Sequence, residues 1–409
     1  MSEAAHVLDA AAVLRLLPAR PRVLGLGEPT HGEDALLDLR NDLFRQLVEH
    51  EGYRTIALET DCLRGLVVDA YVTSGTGTLD DAMAHGFSHG WGASAANRAL
   101  VRWMRAYNVR ADRDGRPASD RLRFAGFDGP LEITHAESPR QALTALHAHL
   151  AAHLDAALLP CTAATLDDLL GADDRWADPA AMTDPARSVG QSPEARRLRA
   201  YADDLTVLLE AQAPRLTALA PGEERHRAHL HARTATGLLR YHHWLADPSP
   251  LRMSRLIGVR DHMMAASLLA LAERGRVLVH AQNAHLQREQ SSMRMWDQPP
   301  VEWWSAGALV SARLGGEYAF LATALGTIRH RGVDTPPADT LEGLLYDLPD
   351  RPALLDASRL ATALADRRPQ PRTSPWFGYA PLDPAHLASV DGVVFLRDVP
   401  ETQPRSGAL

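Results

Sequence analysis

The 409-residue chain contains no lysine; all 43 of its fixed basic side chains are arginine. Schiff-base chemistry through a lysine amine is therefore excluded. Cysteine is almost as scarce. Cys62 and Cys161 are the only two, too few for a disulfide framework or a zinc–thiolate cage. No apolar run approaches the roughly 20 residues that a membrane-spanning helix needs. The opening stretch MSEAAHVLDAAAVLRLL carries Glu3 and Asp9; it reads as an amphipathic helix, not a signal peptide, so a cytoplasmic protein is expected. Several catalytic signatures are missing too: His-Glu-x-x-His, a Walker loop and Cys-x-x-Cys. Zinc proteases and P-loop kinases are disfavoured accordingly. A net charge of −8 argues against a nucleic-acid or anionic-membrane partner.

What is present is an alternation of short apolar runs and helical stretches. RVLGLGE (22–28) and RTIALET (54–60) flank a helical pattern as in a βαβ unit, and LRFAGFD (122–128) comes next. RVLVHAQN (276–283), EYAFLATAL (317–325) and GVVFLRD (392–398) are further strands of the same kind. Such runs, apolar throughout and bounded by turn residues, belong to a sheet covered on both faces. The stretch from about 137 to 255 is different, being rich in Ala, Leu, Arg and His and poor in β-branched runs. The expected fold is α/β, with a mostly parallel central sheet flanked by helices. The α/β core spans 1–136 and 256–409, and 137–255 forms an inserted helical cap.

Ligands of open α/β sheets bind beyond the carboxyl ends of the strands. That rule selects Glu28 and His31 after the first strand, Glu59 and Asp61 at the second, Asp128 at the third, and Gln282, Asn283 and His285 at the fourth. A histidine oriented by a carboxylate is equipped to activate water or an alcohol. The segment GLGEPTHGE (25–33) also opens like a dinucleotide fingerprint, but its third glycine is missing and Pro29 and His31 obstruct a pyrophosphate. In the helix after it, Arg40 shares a face with Leu36, Leu43 and Leu47. An inward guanidinium needs a carboxylate or a substrate oxyanion, and Glu28 and Glu59 are the expected partners. His149 and His153, and His226 and His229, have helical ligand spacing but neither the neighbouring acid nor the strand-end position of a persuasive metal site, and are expected on solvated helix faces. Trp303 and Trp304 suit a core or a pocket wall. No cofactor or metal site is expected.

Taken together, Gly-x-Gly-Glu-x-Thr-His-Gly, an arginine nine residues after the histidine, and Ile-Ala-Leu-Glu at the next strand resemble the erythromycin esterase family. The likeness continues through WGASAANRALVRWMRAYN (91–108), FAGFD (124–128), RDHMMA (260–265), VHAQNAHL (279–286) and VDGVVFLRD (390–398). The resemblance implies a macrolactone hydrolase, of the kind that confers macrolide resistance, in which His31 activates water and Glu28 orients it. Arg40, Glu59 and His285 complete the catalytic set. Trp91, Asp128, Arg260, His280, Gln282 and Asn283 are the implied substrate contacts, and the partner is a small natural product. One departure stands out: where the family reads His-Asn-Ala-His, this chain has Gln282-Asn283-Ala284-His285. His280, two residues earlier on the same strand face, is a partial substitute. The replacement of a titratable group keeps a second reaction open: acyl transfer, cyclisation or elimination in natural-product biosynthesis.

Overall fold

Each apolar run of the α/β pattern becomes a strand. In the computed structural model, which describes residues 5–294, 300–349, 351–376 and 378–400, the strands are β1 (Ala5–Val7), β2 (Val23–Glu28), β3 (Thr55–Asp61), β4 (Arg123–Asp128), β5 (Val277–Gln282), β6 (Gln290–Met293), β7 (Val301–Trp304), β8 (Tyr318–Thr327), β9 (Ala353–Asp356) and β10 (Gly392–Asp398). Eight of them form one sheet, in the order β1-β9-β10-β8-β2-β5-β3-β4. From β10 through β8, β2 and β5 to β3 the pairing is parallel; β9 and β1 add antiparallel at one edge. The fold is therefore α/β with a mostly parallel sheet. β6 and β7 pair separately as an antiparallel ribbon.

The N-terminus corrects one expectation. Ala5–Val7 is an edge strand, and the helix begins only at Ala10, capped by the Asp9 carboxylate, which accepts from the Ala12 N–H at 2.7 Å. The Asp9 cap ends the extended segment and starts the helix at one residue.

The chain divides into two compact units. The α/β unit comprises Met1–Glu59, Leu66–Ala125 and Leu268–Leu409. β2 and β8 are buried at every position, and Phe44, Leu47, Leu100 and Met104 pack with strand residues Leu24, Ile56 and Leu278. The second unit comprises Thr60–Gly65 and Gly126–Ser267 and contains helices Arg140–His153, Pro193–Ala211 and Gly222–Leu245. It has an apolar cluster of its own, around Leu131, Leu238, Leu245 and Leu256. Among the described residues no helix is long and apolar enough to cross a membrane.

Candidate active site

The parallel register brings chemistry together at the strand ends of the α/β unit. Glu28, the last residue of β2, stands beside Gln282, the last of β5. Close approach of the Asn283 side chain requires glycine at position 27, because a Cβ there would lie 2.1 Å from Asn283 Oδ1. Across that gap the Asn283 amide donates to the Thr323 carbonyl at 2.9 Å and accepts its N–H at 3.2 Å. Asn283 thus clamps the end of β5 to β8 through both ends of its amide. Gly25 and Gly27 lie within a strand buried throughout, so they form no open glycine loop for a pyrophosphate.

After β2 the chain turns back, bringing His31 over Glu28 before it passes through Gly32 at φ +86°. His31 Nδ1 lies 2.7 Å from Glu28 Oε1. Burial pushes the Glu28 carboxyl up, but the electrostatic pull of His280, then the contact with His31, outweighs it and holds the group well below the usual carboxylate range. An ionised Glu28 only accepts, so in the neutral form of His31 the proton sits on Nδ1 and Nε2 carries the lone pair. That Nε2 is 3.7 Å from Glu59 Oε1, and the imidazole keeps 32% of its surface open. Trp91 lies against the ring at a centroid distance of 5.0 Å.

Behind Glu28 is His280, 3% exposed. Its Nδ1 donates to the Leu26 carbonyl at 3.0 Å, while Nε2 stands 3.2 Å from Glu28 Oε2 without hydrogen-bond alignment. His280 therefore backs the carboxylate and does not occupy the place of the missing strand-end histidine. Gln282 fills that place. Its backbone N–H donates to Glu59 Oε2 at 2.8 Å, and its side-chain amide donates to the Gly378 carbonyl at 2.6 Å. Glu59 Oε1 is in turn 3.5 Å from His285 Nε2, which makes Glu59 the bridge between the two histidines. His285 is 6.4 Å from the buried Trp303 ring, centroid to centroid; Trp304 is exposed.

Arg40 points inward as its helical phase requires, with 1% exposure, but it meets amides and not a carboxylate. Its guanidinium donates to Asn41 Oδ1 at 2.8 and 3.1 Å and to Asn97 Oδ1 at 2.9 Å. Burial lowers it to about 10, partly offset by the charge of Glu28, so it stays protonated at neutral pH. Asn97 in turn donates to the Trp91 carbonyl at 3.1 Å, linking the buried cation to the ring that flanks His31.

Asp128 and Arg260 lie in the second unit, where they pair with each other. The guanidinium straddles both carboxylate oxygens at 2.7–3.1 Å. Asp61, also in that unit, accepts the Leu63 N–H at 2.7 Å, and burial pushes its carboxyl up to about 6.

Sequence reasoning missed one flank of the site. Glu33, 3% exposed, lies 3.1 Å from His330 Nε2 and 3.0 Å from Arg331 Nη1. Arg331 also donates to the His31 carbonyl at 3.3 Å and lies over the Trp376 ring at 4.2 Å. Ala380 donates to the Pro29 carbonyl at 2.6 Å. The signal was available, since Arg329-His330-Arg331 follow the end of β8, where the other strands place their functional groups.

Three solved structures share this fold. A Bacillus cereus protein matches with TM-score 0.72 and 16% identity, over 97% of this chain and 96% of its own. A succinoglycan biosynthesis protein matches with TM-score 0.69 and 16% identity, over 97% and 95%. The erythromycin esterase EreC, as a histidine-to-asparagine mutant in its open conformation, matches with TM-score 0.67 and 18% identity, over 96% and 94%. No curated protein matches in sequence. The erythromycin esterase profile matches residues 48–399, a span that begins downstream of Glu28, His31 and Arg40 but takes in Glu59, Gln282 and His285. With most of its length matched, the chain belongs to the erythromycin esterase family.

Proposed function

We propose that the chain hydrolyses an ester bond of a large natural product, most naturally a macrolactone, with water activated by His31. The observation that carries this reading is the 2.7 Å contact between His31 Nδ1 and a Glu28 carboxylate held ionised. It leaves Nε2 as the basic atom. In the reaction, the water oxygen bonds to the ester carbonyl carbon while its proton passes to His31 Nε2. The tetrahedral intermediate then expels the alkoxide, which takes a proton from His285 or from His31, leaving a carboxylic acid and a free hydroxyl. Glu59 faces both histidines and suits a role in positioning the water and keeping the protonated rings paired. The buried Arg40 adds positive potential behind the site. Opening the ring would inactivate a macrolide antibiotic.

His31→Ala is expected to lower turnover of a 14-membered macrolactone by at least about a thousandfold, with the protein still folded by circular dichroism. Retained turnover would sink the assignment. Gln282 supports a second reading, in which the same site performs acyl transfer or elimination: its neutral amide is committed to Gly378 and cannot shuttle a proton. Reaction in oxygen-18 water separates the two. One labelled oxygen in the product carboxylate marks hydrolysis, and none marks the alternative.

A further inference from the structure

We propose that His149, His153 and Glu224 of the helical unit bind a divalent transition-metal cation of the zinc or nickel class. His149 and His153 lie one turn apart at the end of helix Arg140–His153, so their rings project from the same face, with centroids 4.9 Å apart. Glu224 lies in the first turn of helix Gly222–Leu245. Both imidazoles converge on one of its oxygens: His149 Nδ1 is 3.0 Å and His153 Nε2 is 2.8 Å from the same Oε1. Among the described residues this is the one group of three potential ligands whose donor atoms all fall within 4.8 Å of one another.

Zinc holds imidazole nitrogen and carboxylate oxygen at about 2.0–2.2 Å, which places tetrahedral ligands about 3.3 Å from each other. Opening the two contacts from 3.0 and 2.8 Å to that spacing is within reach of Glu224, whose side chain is 44% exposed. His149 is held at 7% exposure and His153 at 19%, so two ligands are pre-positioned and the third is free to swing in. The solvent side leaves a coordination position for water. Imidazole with one carboxylate favours zinc, nickel, cobalt or copper over magnesium or calcium. The acid that meets both histidines arrives from 71 and 75 residues away along the chain. The ion would staple the end of one helix to the start of another within the helical unit. The same residues also suit a plain helix-end pairing, with histidine in a last turn and glutamate in a first, and metal binding separates the two roles.

The test is titration of the full-length, tag-free protein with zinc chloride, read by isothermal calorimetry and by metal analysis after gel filtration. The expected result is one zinc per chain, with affinity at least tenfold weaker in His153→Gln and in Glu224→Gln. Both replace partly exposed side chains, and a wild-type circular dichroism spectrum would confirm their folding. Zinc should also raise the melting temperature of the wild type but not of either variant, and magnesium should do neither. His226→Gln/His229→Gln, on the same helix as Glu224, controls for unspecific surface histidines and should bind zinc as the wild type does. Absence of binding by the wild type would overturn the site, as would equal binding by His153→Gln and Glu224→Gln.

Discussion

The α/β unit buries two glutamates with opposite results. Glu28, at the end of β2, and Glu342, in the short helix Leu341–Leu345, are 2% and 0% exposed. Burial raises both, yet Glu28 ends well below the usual carboxylate range whereas Glu342 rises to about 7. Their surroundings explain the difference. Glu28 has His31 at 2.7 Å, His280 at 3.2 Å and the field of Arg40. Glu342 has no side-chain hydrogen-bond partner among the described residues. The nearby Arg372 spends its guanidinium on the carbonyls of Leu325, Gly326 and Asp334 at 2.8–3.1 Å and lowers the group only in part. A buried carboxylate becomes a tool for orienting a base when imidazoles and a nearby guanidinium converge on it; without them it is simply a cost to folding.

Removing the better-partnered glutamate should do the most damage. Glu28→Gln is expected to lower kcat by about 10²–10⁴-fold, because the His31 ring loses the anion that fixes its tautomer. It should also cost about 3–5 kcal/mol in urea denaturation at pH 7, since His280 is left facing a neutral amide. The pH dependence has a definite sign. A depressed folded-state pKa stabilises above the ordinary value of 4.5, and that stability drains away as pH falls through and below it. The gap between wild type and variant should therefore narrow below about pH 4.5; a gap that stays constant down to pH 2 would contradict the ionised, histidine-bound state.

The orphan glutamate should respond in the opposite direction. With a folded-state pKa raised to about 7, Glu342 takes no stability from the wild type below about pH 4.5. It takes a growing share as pH rises from about 4.5 to about 7, and a constant share above that. Glu342→Gln should stabilise the protein by up to about 3 kcal/mol at pH 8 and by nothing measurable at pH 4, with turnover unchanged. Equal unfolding free energies at pH 8 would show that Glu342 finds a partner in solution.

How much of this could be read from the residues depended on how local the cause was. The strands from β2 to β5, with β8 and β10, were legible because each is a short apolar run closed by a polar residue. Glu28, His31, Glu59 and His285 came with them, as positions at strand ends. β1 and β9 were not, since three or four residues at an antiparallel edge carry too little periodicity to outweigh the helical look of the sequence around Asp9. The inward phase of Arg40 was readable from its neighbours, but its receptor Asn97 lies 57 positions away and a neutral amide gives no charge signal. Glu342 in LEGLL offered no cue at all, because its burial is decided by strands and loops that are remote in sequence.

Arg40 permits a smaller and sharper test of why the two glutamates differ. Its direct partners are the amides of Asn41 and Asn97, yet its charge and that of Glu28 favour each other's ionised forms. Arg40→Met keeps an unbranched side chain in the space and strands the two amide oxygens, each on a residue 1% exposed. That alone should cost about 1–3 kcal/mol. Whether the field matters is decided by adding Glu28→Gln to the Arg40→Met background. If the cation helps to hold Glu28 ionised, losing the anion should cost less once the cation is gone, by a coupling of about 0.5–1.5 kcal/mol at pH 7. Additivity within about 0.3 kcal/mol would mean that the histidines alone account for Glu28, and that Arg40 serves only to join the helix Asp34–His50 to Asn97 and the Trp91 carbonyl.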